Sequence, residues 1–182
     1  MPPWLFRVSI VGSALSAAVS AMALSAAALS AASLPVSKIE FAPAVIADLR
    51  DHYGMEETEV LRSAILTAVS HATAGVAVAP GLSVSVTVRD IAPSNPTRRQ
   101  LADNRADAAG SRFVGGADLS GEVRDAQGHV VVSVMYRYYP SIAGSGAAGP
   151  DPWADARLAV DQFAVKLAAA LRRISASASP PA

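Results

Sequence analysis

The sequence predicts an α/β fold, a two-layer sandwich in which about four mainly antiparallel strands carry two long helices on one face. Apolar and polar residues alternate in four segments, which is typical of strands with one buried face. In two longer segments apolar residues recur every three or four positions, as in helices that pack on a sheet. The order strand, helix, strand, short helix, hairpin, helix therefore favours one sheet covered by one helical layer.

The first half of the predicted domain contains a strand, an ambiguous segment and a long helix. Alternation over residues 36–42 predicts the strand, whereas residues 43–54 fit either a short helix or a packed loop. Residues 56–73 predict the helix, because apolar residues keep to one face and three glutamates occupy the first turn, where negative charge complements the helix dipole. Gly75 is a suitable helix stop.

The next two elements are a strand and a short helix. Residues 82–91 alternate most regularly and follow a Pro80-Gly81 turn, so they predict the second strand. A short helix is expected next, capped by Asn95, with Pro96 in its first position, and ending near residue 103. Residues 104–110 are small and polar, and we expect a loop there.

A hairpin is predicted from residues 112–125 and 129–139, which alternate on both sides of a short turn. Gly128 fits the left-handed position of that turn. Gly115, Gly116 and Gly121 lie in the first strand, and glycines within a strand indicate a bulge or a close approach of the backbone.

The last helix is expected to begin with Asp151 as its cap and Pro152 in its first position. Asp155 is expected to face solvent, and Arg157 is expected to pair with Asp161 one turn away. The buried face is predicted from residues spaced three or four apart: Trp153, Ala156, Val160, Phe163, Leu167 and Leu171.

The beginning of the chain predicts a secretory signal peptide in residues 1–33. Arg7 carries its only charge, no charged residue follows through residue 32, and small residues crowd its end. Residues 34–174 are then a single domain and residues 175–182 a disordered tail. An uncleaved inner-membrane anchor is the alternative, since residues 8–32 are long enough to span a bilayer. Its serines and alanines favour cleavage, because insertion scales reward larger apolar residues.

Composition narrows the possible functions. The chain has no cysteine, which excludes disulfides, thiolate metal sites, cysteine nucleophiles and the lipidated cysteine of a bacterial lipoprotein. Fifteen basic and fifteen acidic residues balance, so no basic field for nucleic acid is present. We expect a periplasmic or secreted bacterial protein, with membrane association only if the leader stays uncleaved.

The second half of the chain resembles a known kind of envelope protein. Residues 118–128 read DLSGEVRDAQG; a valine-rich strand ending in Arg137, a glycine-rich loop and Trp153-Ala154-Asp155-Ala156 follow. This arrangement, over residues 82–171, resembles a family of uncharacterised bacterial envelope lipoproteins, although the lipidated cysteine is missing here. The resemblance implies an exported α/β envelope domain and supplies no catalytic residues.

Five residues are candidates for a binding site. Arginines gather around the start of the short helix, where a helix N-terminus and guanidinium groups can bind an anion. Aspartates lie among them, so a solvated face with ion pairs is the alternative. The arginines are Arg89, Arg98, Arg99, Arg105 and Arg112. Tyrosine and tryptophan beside the glycine-rich loop are residue types that interfaces favour. The predicted binding residues are Arg89, Arg98, Arg99, Tyr139 and Trp153.

No catalytic, metal or cofactor site is predicted. The three histidines show no metal-ligand spacing, and neither a nucleophile elbow nor a phosphate-binding loop is present. The first functional hypothesis is a non-enzymatic binding or assembly module of the envelope, with an envelope protein or an anionic glycan or lipid as partner. The second is a periplasmic, hydrolase-like enzyme with an acid–base site assembled from Asp51, His52 and Arg89.

Overall fold

A computed structural model describes residues 34–103, 114–141 and 150–177 of the chain. Within these ranges four strands form one sheet in sequence order, β1 to β4. The strands are β1 (Val36–Phe41), β2 (Ser83–Ala92), β3 (Gly116–Arg124) and β4 (Val130–Tyr138). β1 runs parallel to β2, and the other two neighbouring pairs are antiparallel. The mainly antiparallel sheet that alternation predicts is therefore confirmed.

The helical layer lies on one face of this sheet. The helices are α1 (Pro43–Asp48), α2 (Glu57–Thr73), α3 (Arg98–Ala102) and α4 (Ala154–Ser177), with a π-helical turn at Leu49–Tyr53. α2 and α4 pack against each other, while α4 lies over β3 and β4 and α2 contacts β1. One core fills the space between the layers, and it includes the whole apolar stripe predicted for α4, from Trp153 to Leu171. The predicted two-layer α/β sandwich is thus confirmed.

The segment that alternation left ambiguous is helical. Pro43 opens α1, where its fixed φ suits the first turn and its missing N–H costs nothing. The helix then widens into the π-helical turn, and the N–H of Gly54 donates to the carbonyl oxygen of Leu49. Gly54 has a φ of 107°, so a glycine here lets the chain reverse into α2. Leu49 is fully buried, which anchors this turn in the core.

Gly121 marks the place where α4 comes closest to the sheet. The ring of the buried Phe163 lies directly over it, and a Cβ added to Gly121 would stand 2.6 Å from Phe163 Cζ. The absence of a side chain on β3 therefore lets α4 settle on the sheet, as the glycine within the strand predicted.

The cap of the short helix is corrected from Asn95 to Thr97. The Thr97 hydroxyl accepts from the N–H of Gln100, and the Gln100 side chain accepts from the N–H of Thr97, which together form a capping box. The Asn95 amide instead donates to the carbonyl oxygen of Asp151, 56 residues away. The helix starts two residues later than predicted, because this reciprocal pair satisfies its free N–H groups.

The start of α4 also differs from the prediction. Asp151 accepts from the N–H of Trp153 in a turn that precedes the helix, which begins at Ala154. Arg157 pairs with Asp151 at 2.7 Å rather than with Asp161. Asp155 is buried rather than exposed, and its N–H donates to the hydroxyl of Ser94 in the segment after β2. The Asp155–Ser94 contact is tertiary, whereas the Arg157–Asp151 pair is local and joins the helix to the turn before it.

The C-terminal helix continues to Ser177, three residues into the stretch predicted as a disordered tail. The Ser175 hydroxyl donates to the carbonyl oxygen of Ala77, which ties this last turn to the segment after α2. The leader, the loop expected at 104–110 and the last five residues lie outside the described residues. Of the helices in the described part of the chain, none is both long enough and apolar enough to cross a membrane.

Candidate binding surface

The face of the sheet opposite the helices carries the polar side chains that alternate with apolar ones along each strand. Side chains on this face come from all four strands and are paired across the sheet, with Ser85 opposite Glu122 and Thr87 opposite Ser120. A shallow cavity of about 410 Å³ occupies the middle of this face; its lining residues are Ser37, Lys38, Glu40, Ser85, Thr87, Ser120, Glu122 and Arg124. Hydroxyl groups flanked by charges of both signs therefore line this surface, which we call the open face.

Two of the predicted binding residues, Arg89 and Tyr139, join one polar cluster at an end of the open face. The Arg89 guanidinium lies 3.8 Å from the Asp118 carboxylate. The Tyr139 hydroxyl donates to Asp90 at 2.8 Å. Asp90 and Asp118 face each other across β2 and β3, so these two interactions share one site.

Two further residues complete this cluster, and the residue pattern alone did not single them out. The Arg137 guanidinium lies 5.2 Å from the centre of the Tyr139 ring, a cation–π geometry, and Arg137 is opposite Asp118 in the sheet. Met135 accepts a hydrogen bond from Arg89 through its sulfur and is 69% exposed. A register shift in β2 beside Arg89 decides which residues meet here, and strand alternation gives no sign of such a shift.

The environment of Tyr139 keeps its hydroxyl protonated. Burial is the main reason that its pKa lies above the ordinary value, and the Asp90 carboxylate that accepts its proton raises it further. Burial also raises the pKa of Tyr53. The Tyr139 hydroxyl is therefore held as a donor to the Asp90 carboxylate, with the Arg137 guanidinium over its ring.

The alkaline titration of the tyrosines tests this arrangement. We expect Tyr139 to stay protonated at a pH where an ordinary tyrosine, of pKa about 10, ionises. The stabilisation that follows is complete below about pH 10 and is lost as the pH rises through the folded-state pKa. Ultraviolet absorbance should show that Tyr139→Phe removes signal from the late phase, and that Asp90→Asn makes the Tyr139 phase earlier. Loss of early signal in Tyr139→Phe would contradict the assignment.

Arg98 and Arg99 lie on α3, which packs beside the π-helical turn. Arg98 is exposed, and Arg99 pairs with Asp103 on its own helix at 3.7 Å. The N–H of Gln100 is already accepted by Thr97, so the short helix does not offer it to an anion. Arg105 and Arg112, which the sequence groups with these arginines, lie outside the described residues.

Trp153 lies in the core rather than on the surface. Only 1% of it is exposed, its indole N–H donates to the buried Glu57 carboxylate at 2.7 Å, and Tyr53 meets it edge-on with ring centres 5.7 Å apart. Its side chain therefore joins α4 to α2 and is unavailable to a partner. The residue type that favours interfaces also favours cores, and spacing had placed it on the buried stripe.

The residues of the second functional hypothesis lie on two elements of the fold, the π-helical turn and β2. His52 and Asp51 are both exposed on the π-helical turn, where the His52 ring contacts Tyr53 edge-on. Arg89 belongs to the cluster on the open face. Among the described residues, no three histidine or carboxylate side chains are arranged to hold a metal ion.

A second concave surface lies between α2 and α4. This groove of about 750 Å³ is lined mainly by small residues, among them Ala64, Ala68 and Ala72, with charged residues at its margin. None of the five predicted binding residues lines it. Alanine side chains on two facing helices are too small to fill the space between the helix backbones, so a depression remains at the surface.

The fold and the open face define a small two-layer α/β domain with one helix-covered and one polar sheet face. The sequence matches no family model, and no curated protein matches it. Among solved structures, part of the chain is similar to the crystal structure of protein XCC0632 from Xanthomonas campestris, of the DUF330 family. The TM-score is 0.38 and the identity 13%, over 67% of this chain. The match spans 66% of the length of that protein, just under two thirds. The fold assignment accordingly depends on this chain's own sheet and helices.

Proposed function

We propose that this chain is an exported protein of the bacterial envelope and acts as a non-enzymatic module that binds a protein partner through the open face. The cluster of Arg89, Asp90, Asp118, Arg137 and Tyr139 is the observation that carries the proposal. It gathers charged and aromatic side chains on a sheet face that no described helix covers. Export is inferred from the uncharged leader that precedes the domain.

The charges on the open face favour a protein partner over an anionic lipid or glycan. Arginine and lysine alternate with aspartate and glutamate across it, as in the Lys38–Glu40 and Arg89–Asp118 pairs. Adsorption to an anionic membrane needs an excess of positive charge, because each basic residue contributes separately to the attraction. Mixed charges instead give complementarity to one partner and repel others, which is how protein interfaces obtain specificity.

Cell fractionation combined with photo-crosslinking tests both parts of this proposal. A photo-reactive amino acid replaces Thr87 at the centre of the open face, and Val165 on the solvent side of α4 provides the matched control. We expect the chain in the periplasmic fraction, with a covalent adduct to an envelope protein from position 87. Position 165, which is 55% exposed, should give little of that adduct.

Each negative result has a distinct meaning. Recovery of the chain only from the cytosol would refute export. Equal adducts from positions 87 and 165, or none from position 87, would refute binding through the open face. Crosslinking to lipid or glycan instead of protein would refute the choice of partner.

A further inference from the structure

β4 is an edge strand with an unusually apolar surface. It is nine residues long, and β3 lies on one side of it; in the described part of the chain no strand lies on the other. Val130, Val131 and Met135 are 45%, 40% and 69% exposed. An edge of this kind presents unpaired N–H and carbonyl groups next to apolar side chains, a template on which another strand can pair.

Among the described residues, the opposite edge of the sheet is more strongly protected than β4. Each edge has a helical cation over an aromatic ring, Arg62 of α2 over Phe41 in β1 and Lys166 of α4 over Tyr136 in β4. Arg62 also donates to the main-chain carbonyl oxygen of Ile39, and no such bond to the β4 backbone is found among the described residues. Lys38 puts a charge on this edge, which is only six residues long. Short length, lysine and side chains that bond the strand backbone all discourage strand pairing. The two edges therefore differ in how strongly they are guarded.

Charged side chains are also distributed between the inner strand β3 and the edge strand β4 in the reverse of the usual way. On the open face the inner strand β3 carries Asp118, Glu122 and Arg124, whereas the edge strand β4 carries Val131, Ser133, Met135 and Arg137. In proteins that remain monomeric, edge strands normally carry more charged side chains than inner strands. A single charge on a nine-residue edge suits a strand that is itself paired in the assembled protein.

We propose that β4 pairs antiparallel with β4 of a second copy of this chain, about a two-fold axis at Val134, to form one eight-stranded sheet. Val134 is the middle residue of β4, so this register is centred on the full strand. An axis perpendicular to the sheet keeps both helical layers on the same side. Isologous contacts of this kind are the most common way in which identical chains associate.

This register is self-complementary on both faces. On the helical side Val132 meets Tyr136 of the other copy, and both side chains are of types that pair well across strands. On the open face Ser133 meets Met135, and Arg137 meets Val131. No two like charges are opposed, so the side chains of β4 are compatible with those of a second β4 in this register.

Disulfide trapping tests the axis, because the chain has no cysteine of its own. In Val134→Cys the two thiols are on directly opposed residues, whose Cα atoms are about 4.5–5.5 Å apart in an antiparallel pair, within disulfide range. Ser133→Cys is the matched control, since its two copies are diagonal neighbours roughly 7–8 Å apart. Mild oxidation of the purified full chain should crosslink Val134→Cys and leave Ser133→Cys mostly uncrosslinked.

Charged substitutions at Val131 test whether β4 pairs with a second copy of the chain in solution. Val131→Glu puts a carboxylate opposite Arg137 of the other copy, and Val131→Arg puts a like charge there. Two such pairs form per dimer, so we expect dimer affinity to rise roughly 2- to 30-fold in the first and to fall by a similar factor in the second. Sedimentation velocity over a wide concentration range measures both, and circular dichroism checks that each variant is folded.

Four results would overturn the proposal. They are a single-chain mass at every concentration, equal dimer affinities for Val131→Glu and Val131→Arg, a disulfide from Ser133→Cys in place of Val134→Cys, and an edge occupied by a different protein. The first three readouts use purified chain, so they are independent of where the cell delivers it.

Discussion

Trp153→Ala is expected to destabilise the domain by about 3–5 kcal/mol, the range measured for large aromatic residues replaced in protein cores. The indole is 1% exposed and fills the junction of α2, α4 and the π-helical turn. Its loss also leaves the Glu57 carboxylate, itself 7% exposed, without the N–H that it accepts at 2.7 Å. Urea unfolding followed by circular dichroism measures the loss, since the variant has no indole in the domain to report by fluorescence.

A double-mutant cycle separates the packing of Trp153 from its hydrogen bond. Trp153→Phe keeps an aromatic ring but removes the donor, and an unpaired buried acceptor costs about 1–3 kcal/mol. Adding Glu57→Met to Trp153→Phe should recover part of that loss, because the orphaned carboxylate is replaced by an apolar side chain. Equal stability of Trp153→Phe and of the variant that adds Glu57→Met to it would contradict a significant role for the Glu57–Trp153 bond.

Phe163→Ala is expected to cost about 3–5 kcal/mol as well, through the cavity that it leaves between α4 and β3. The ring is fully buried and lies over Gly121. Gly121→Ala alone should cost about 1–3 kcal/mol, because its Cβ would approach Phe163 Cζ to 2.6 Å and force the helix or the ring to move.

Together, these two changes should cost less than the sum of their separate effects. In Phe163→Ala the space over Gly121 is empty, so the new methyl group of Gly121→Ala fills part of the cavity instead of colliding with a ring. We expect a coupling free energy of about 0.5–3 kcal/mol from urea unfolding of the four proteins. Val45→Ala in α1, which packs on β2, is a suitable control and should add its cost independently. Strict additivity of Gly121 and Phe163 would show that helix and strand do not touch there.

Residue types predict two of the five residues in the candidate cluster. Arg89 belongs to the arginines around the start of the short helix and Tyr139 is an aromatic residue beside a loop, and the two lie in one cluster. Asp90 and Asp118 meet because β2 and β3 pair with a register shift at that point, and Arg137 joins them because it is opposite Asp118 in the β3–β4 pair. Trp153 is buried in the core, and its residue type alone does not distinguish a core from an interface.

Periodicity in the sequence determined the elements of this protein. A repeat of two gave the strands, and a repeat of 3.6 gave the two long helices and the buried face of α4, because each repeat directly reflects which side chains can leave water together. Gly121, one of three glycines that indicate a bulge or a close approach in this strand, lies under the ring of Phe163. The export signal is a property of the leader sequence alone and remains a prediction.

Tertiary structure decided what periodicity cannot encode. Asp155 is buried, and its N–H donates to the Ser94 hydroxyl, 61 residues away in the chain. The Asn95 amide donates to the carbonyl oxygen of Asp151, 56 residues away, and Thr97 caps α3 in its place. In both cases a partner that is distant in the chain competes with the local alternative. Strand order and register bring Asp90 and Asp118 face to face and leave β4 at an edge. These depend on contacts between segments far apart in sequence, and the free energy of such contacts is absent from any local pattern of residues.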